Sequence, residues 1–496
     1  MNASECTNPF EELPPEILYL IFDFLDLNTL KSVSLTCHHL NHIFSSYSCG
    51  RHMLVINEVF DSFDNVYDSR VAIKSKAKLL QHSTRSYHKV YLPVHDPWLY
   101  PEHIMNSILY RVLQTDWSKQ LVVLVLAIRN TSKRCGAMLT TAITGMDNLH
   151  ELQFFQDVSL NPCNGWPQRL VLNDLKVENN TLQRLVLQNV IPVVINCPKL
   201  HKLNVASHLY AELMFGKQYA QYGDQEPYWK LKQLQEFTVM QQFTFWHRPD
   251  RTEHRPGYKG WLYQHLTKLK KLHLNTSGIS ENFLQIICKS CVLLEDLFIC
   301  SLQAVDPNVL SRCLSNLAHL RRLGIWRMTT PQPVSFASVK TPQLEQLTLG
   351  MVDVAWESLE QVQSIKSLSL MPYFDNERLI PMSFAVHVKQ IECLWLDLVR
   401  LRTHDPTDIF LLLRDLPQLS TLILEDMDDT WINLAKLPPL PQLKRLVLYR
   451  CRPIPDLKVD FLRFPNVERI ELEAPARFAN DFRQNLKLDD IMQRRK

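Results

Sequence analysis

The chain has 496 residues, 46% of them hydrophobic, and a formal net charge of +3. That supplies a large core but no clustered basic excess of the kind nucleic-acid binding needs. Twelve cysteines at irregular spacing are too sparse for a disulfide scaffold, which favours a reducing compartment.

The opening MNASECTNPFEEL has neither the basic n-region nor the apolar h-region of a secretory signal. The longest aliphatic run, Leu121 to Ile128, falls well short of the roughly 20 residues that span a bilayer. A cytoplasmic or nuclear protein without a membrane partner is therefore expected.

Residues 1–8 read as a flexible tail, and residues 9–48 as a small helical unit. Pro14 and Pro15 suit a helix start. Ile17, Leu18, Leu20, Ile21, Phe22, Phe24 and Leu25 then run nearly all the way round that helix, so something must cover its second face. Asn28 is expected to cap a second helix carrying Leu30, Val33, Cys37, Leu40 and Phe44 at steps of three and four. About 40 residues cannot hold a stable core unaided.

The pattern Leu13-Pro14-x-Glu16-Ile17-Leu18-x-x-Ile21-Phe22-x-x-Leu25, followed by Leu30, Val33 and Cys37, closely resembles the F-box, with Leu40 where many F-boxes carry Trp. The resemblance implies that Leu13, Pro14, Glu16, Ile17, Leu18, Ile21, Phe22 and Leu25 bind a Skp-type adaptor. Through it the chain would reach the cullin and RING subunits of an SCF ubiquitin ligase.

A strand is expected at Met53 to Ile56, and from there the template L-x-x-L-x-L takes over. It recurs from Leu121/Leu124/Leu126 through Leu294/Leu297/Ile299 and Ile391/Leu394/Leu396 to Val467/Ile470/Leu472, with weaker copies near Val90 and Leu170. From residue 269 onward the starts lie 21 to 28 residues apart, the period of leucine-rich repeats. Residues 49–474 are therefore expected to form a leucine-rich-repeat solenoid of the α/β class, curved, with a parallel sheet on its concave face. The whole chain thus resembles the F-box/leucine-rich-repeat family.

Between strands, Ser280 to Ser290 and Asp408 to Asp415 have helical spacing, whereas Arg327 to Val339 is proline-rich and expected to be irregular. The steps from Leu200 to Leu234 and on to Leu269 are 34 and 35 residues, and the second contains the aromatic and basic stretch Phe243 to Gln264. Residues 475–496 read as a C-terminal cap or tail, with Phe478, Phe482 and Leu486 at four-residue steps.

Cys288-x-x-Cys291 has a metal-like spacing, but Cys291 stands three before Leu294 as Cys197 stands three before Leu200, which is the repeat's own cysteine position. No G-x-S-x-G, H-E-x-x-H or phosphate-binding glycine loop occurs, and there are 11 glycines in all. No cofactor, metal or catalytic residue is assigned.

The residues beside the second leucine, and the one after the third, should face the concave side because strand side chains alternate. The first such row runs from Glu151, Arg169 and Arg184 to Arg445 and Arg469, and holds seven basic and three acidic residues. Phe298, Trp326, Trp395 and Tyr449 add large aromatics. Phe298, Arg322, Trp326, Trp395, Arg445 and Tyr449 are the candidate substrate-binding residues, suited to a protein segment that is acidic or phosphorylated. The function expected is substrate recognition for an SCF-type ligase; the alternative is a non-catalytic repeat scaffold that binds the adaptor and delivers nothing.

Overall fold

The structure is a computed structural model. It describes residues 13–51, 54–55, 87–94, 116–128, 133–155, 170–171, 175–188, 190–206, 231–240, 261–275, 279–303, 305–326, 328–329, 332–339, 341–350, 352–371, 384–397, 411–425, 437–449 and 464–473. The expected N-terminal tail, most of the Phe243 to Gln264 stretch and the C-terminal cap lie outside these residues. The chain divides into two compact units, residues 1–234 and 235–496. Among the described residues no helix is long and apolar enough to cross a membrane.

Three helices open the first unit: α1 (Pro15–Phe22), α2 (Leu27–Ser34) and α3 (His38–Arg51). Pro14 sits at the N-cap of α1 with Pro15 at its first position, where a missing N–H costs nothing. The second helix departs from expectation in two ways. Its cap is Asp26, not Asn28: the Asp26 carboxylate accepts from the N–H groups of Asn28 at 2.8 Å and Thr29 at 3.0 Å. A carboxylate meets two orphan donors and the positive helix end together.

The run from Leu30 to Phe44 is also broken at Leu35, where Thr36 turns its hydroxyl back onto the Val33 carbonyl at 2.7 Å. Cys37 Sγ then accepts from the Leu40 N–H at 3.4 Å and opens α3. Leu18, Phe22, Leu30, Leu40, Ile43, Phe44 and Tyr47 close into one core. Phe22 lies edge-on to Phe44 and Tyr47, at 6.4 and 5.2 Å between ring centroids, and the Tyr47 hydroxyl donates to Asp23 at 2.7 Å.

The rest of the first unit is a parallel ladder of β1 (Leu54–Val55), β2 (Lys89–Val94), β3 (Val123–Ile128), β4 (Glu151–Phe155), β5 (Arg184–Gln188) and β6 (Lys202–Ala206). Apolar template residues stand beside one another, as Leu54 beside Val90, Leu124 beside Leu152 and Leu185 beside Leu203. The weak copy near Leu170 does not join it. Leu170–Val171 instead pairs with Val190–Ile191 in a separate two-stranded sheet, and Arg169 lies outside the described residues.

Helix α4 (Lys133–Thr144) returns the chain between β3 and β4, and the buried Asn179 ties its end to the next repeat. Its amide donates to the carbonyls of Ile143 at 2.8 Å and Met146 at 2.9 Å, while its oxygen accepts from the N–H groups of Thr181 and Leu182.

In the second unit a ladder follows the same rule through β7 (Glu236–Met240), β8 (Lys271–Leu274), β9 (Asp296–Ile299), β10 (Arg322–Ile325) and β11 (Gln346–Gly350). It then runs through β12 (Ser367–Met371), β13 (Cys393–Asp397), β14 (Thr421–Glu425), β15 (Arg445–Tyr449) and β16 (Arg469–Glu473). All pair in parallel, and the template leucines from Leu272 to Leu448 are buried. A slip of one residue would turn every leucine out, so the apolar pattern fixes the register.

The strands are entered by a tight turn whose closing N–H belongs to the first template leucine, as from Leu200 to Cys197 at 3.0 Å, Leu344 to Thr341 at 3.2 Å and Leu443 to Leu440 at 3.1 Å. Pro198, Pro342, Pro417 and Pro441 occupy the second place of that turn, where a fixed φ near −65° is already correct. The turn's first residue points inward, which is why Cys197, Cys291, Thr341 and Leu416 share one buried position. Between strands, α5 (Trp261–His265), α6 (Glu281–Ser290) and α7 (Pro307–Ser315) supply the returns, α6 beginning at Ser280 as expected.

Asn179→Ala should destabilise the first unit by about 2 to 3 kcal/mol, because it strips partners from two buried carbonyls and two N–H groups at once. Thr181→Ala, which removes a hydroxyl from the same network, should cost less. Chemical denaturation of both variants tests this, and equal losses would remove Asn179 as the tie.

Candidate functional site

The eight residues assigned to the first helix and its flanks divide by face. Leu18 and Phe22 are 1% and 2% exposed and belong to the helical core, and Leu13 and Leu25 pack partly against it. They hold the unit together rather than present a surface. Pro14, Glu16, Ile17 and Ile21 are exposed. The outward stripe is completed by residues the assignment left out: Leu20 at 58% and Phe24 at 90% join Ile17 and Ile21 at i, i+3, i+4 and i+7, and Leu35 is 81% exposed. That helical spacing was the available signal. A small unit with a finished core and a second large apolar stripe in water has the surface of an interaction site.

On the second unit, strand alternation brings the residues beside the buried leucines onto one open face. Phe298 and Gly324 are register partners on β9 and β10, and the Phe298 ring lies across the glycine: a Cβ there would fall 2.3 Å from Phe298 Cδ2. His273 covers the other side of the ring at 5.7 Å. Trp326, half-buried, follows β10 on the same strand line as Arg322.

Trp395, Tyr449 and Arg445 form a second group on β13 to β15. The Trp395 indole N–H donates to Glu425 at 2.8 Å, and Trp395 and Tyr449 meet nearly perpendicular at 6.1 Å. The six candidate residues thus make two clusters, three strand steps or about 14 Å apart from β10 to β13.

Arg322 and Arg445 are not isolated cations. Asp296, nearly buried, accepts from Arg322 Nε at 3.0 Å and contacts His273 Nε2 at 2.8 Å, with Lys271 Nζ 3.8 Å away. Burial alone pushes the Asp296 carboxyl up, but the His273 hydrogen bond and the charges of His273, Arg322 and Lys271 outweigh it and hold it below the usual carboxylate range. Arg445 grips Glu471 through Nε at 2.7 Å and Nη2 at 2.9 Å, and Arg469 reaches the same carboxylate at 2.7 Å. The Arg445 hydrogen bond holds Glu471 low. A reading of the first row alone contains Asp296 but misses Glu471, which stands in the middle row, and the buried Asp397 and Glu425, which stand in the third.

The cysteines take the repeat's role. Cys291 Sγ donates to the Tyr263 carbonyl at 3.7 Å and Cys197 Sγ to the Val177 carbonyl at 3.4 Å. Burial pushes their thiols up to about 12 and about 11, far from a reactive thiolate at neutral pH. A hydrogen bond with Cys313, reinforced by burial, raises Cys288 as well.

Residues 10–49 match the family model described as F-box-like. No curated protein sequence matches the chain. Solved structures to which the chain is similar include an internalin (InlF) from Listeria monocytogenes, 13% identical, with a TM-score of 0.36 over 75% of this chain and 95% of that one. They also include TLR13, solved in complex with ssRNA13, 14% identical, with a TM-score of 0.38 over 82% of this chain and 65% of that one. The repeat architecture rests on the ladder's own register. The chain therefore carries an F-box-like domain ahead of a leucine-rich-repeat array.

Because the folded Asp296 carboxyl lies below its unfolded value of about 3.9, its contribution is full above that value and is lost as pH falls through the folded one. Asp296→Asn should therefore cost about 2 kcal/mol at pH 7, and its deficit against the parent should shrink below about pH 4. Denaturant unfolding at pH 7, 5 and 3 measures this; a deficit constant across that range would detach the cluster from stability.

Proposed function

We propose that this chain is the substrate-recognition subunit of an SCF-type E3 ubiquitin ligase, working in the cytoplasm or nucleus. The supporting observation is the two-sided α1 of an F-box-like unit: Leu18 and Phe22 complete the core, while Ile17, Leu20, Ile21 and Phe24 stay in water. An amphipathic stripe of that length suits a helix laid against a partner's groove, and a Skp-type adaptor is the partner the F-box resemblance implies. Cullin and RING subunits follow through it.

The repeats then hold a protein substrate on their open face. Catalysis is by proximity: tethering raises the effective concentration of substrate lysines near a ubiquitin thioester carried elsewhere in the complex. The chain itself acts without a catalytic residue. An acidic or phosphorylated segment could use Arg322 or Arg445 only by displacing Asp296 or Glu471 from them.

Ile21→Asp, alone or with Phe24→Asp, should abolish co-purification of the adaptor and leave helix content and thermal unfolding near the parent's, since both side chains lie outside the core. Loss of such an apolar anchor is worth roughly 2 to 4 kcal/mol of binding. Undiminished adaptor recovery with the double variant would falsify the F-box reading.

A further inference from the structure

We propose that the open face between Phe298 and Trp395 is a docking trough for an uncharged, extended segment of the partner protein, anchored at one end by a large apolar side chain. The proposal rests on the substrate-receptor reading above and narrows the chemistry of what is received.

On β11 and β12 the floor of the trough carries no charge; Arg322 on β10 and Asp397 on β13 stand at its two ends. Its middle row reads Gly324, Thr348 and Ser369 from β10 to β12, and the row beside it Gln346, Ser367 and Cys393. The walls are aromatic and held in place. Phe298 is pinned across Gly324, and Trp395 by its bond to Glu425 and its edge contact with Tyr449, so little side-chain freedom remains to be lost on binding. Beyond Trp395 the face turns apolar, with Ile423 half-buried and Val447 buried in register beside it. The four strand steps from β9 to β13 span about 19 Å, the reach of roughly six extended residues.

Charge complementarity selects the occupant. The cations nearest the trough are already matched on this face, Lys271 and Arg322 by Asp296, Arg445 and Arg469 by Glu471. An acidic segment would break those pairs, and a neutral one need not.

The test uses the full chain co-purified with its adaptor, applied to an array of synthetic dodecapeptides in three sets. One set is uncharged with a single leucine or phenylalanine, one contains glutamate and phosphoserine, and one contains lysine. The uncharged set should be captured, and both Thr348→Arg, which places a charge on the floor, and Trp395→Ala should weaken capture at least tenfold. Adaptor recovery and thermal unfolding show that the variants are folded. Preference for either charged set, failure to capture any set, or capture unchanged in Thr348→Arg overturns the proposal. Capture of the uncharged set by a chain that recovers no adaptor would sink the ligase reading and leave the trough standing.

Discussion

The constraint on which the rest depends is the register of the parallel ladder. A strand in this array has no turn back to its neighbour; the two meet only because a leucine or isoleucine of one, such as Leu297, lands beside its equivalent, Leu323, in the next. Among the described residues these rows are buried up to the half-buried Ile470 of the last strand, and a single repeat could not bury them. Once the rows are fixed inward, every residue between them is fixed outward. The open face is thus a consequence of the core.

The same separation holds at the N-terminus by a different means. A helix has no alternation to divide its residues, so α1 uses angular position: Leu18 and Phe22, four apart, look to α3, and Ile17, Ile21 and Phe24 look away. Aromatic packing of Phe22 between Phe44 and Tyr47 completes the inner side. In both regions the candidate surface is what remains after a core has been satisfied.

Much of this was legible in the sequence. The L-x-x-L-x-L template located the ladder strands because its period of two is enforced by burial, the copy near Leu170 being the exception. What failed to show were effects between neighbours. The preference of Asp26 over Asn28 as a cap depends on which side chain reaches two N–H groups, and the break at Leu35 on a threonine that bonds backwards. The charge balance of the open face is hidden in a similar way: Arg445 and Glu471 are 26 residues apart, and only the register between β15 and β16 brings them together.

Gly324 and Phe298 illustrate how far such neighbour effects extend. The glycine makes no turn, and its lack of a side chain is filled by the ring of the adjacent strand. The two positions are therefore one unit of variation. A methyl group at 324 is intolerable while a ring stands at 298 and nearly harmless once the ring is gone, so their effects cannot add. Two homologues could differ at both positions and keep the same surface contour, whereas a chain that changed one alone would have to reshape the face.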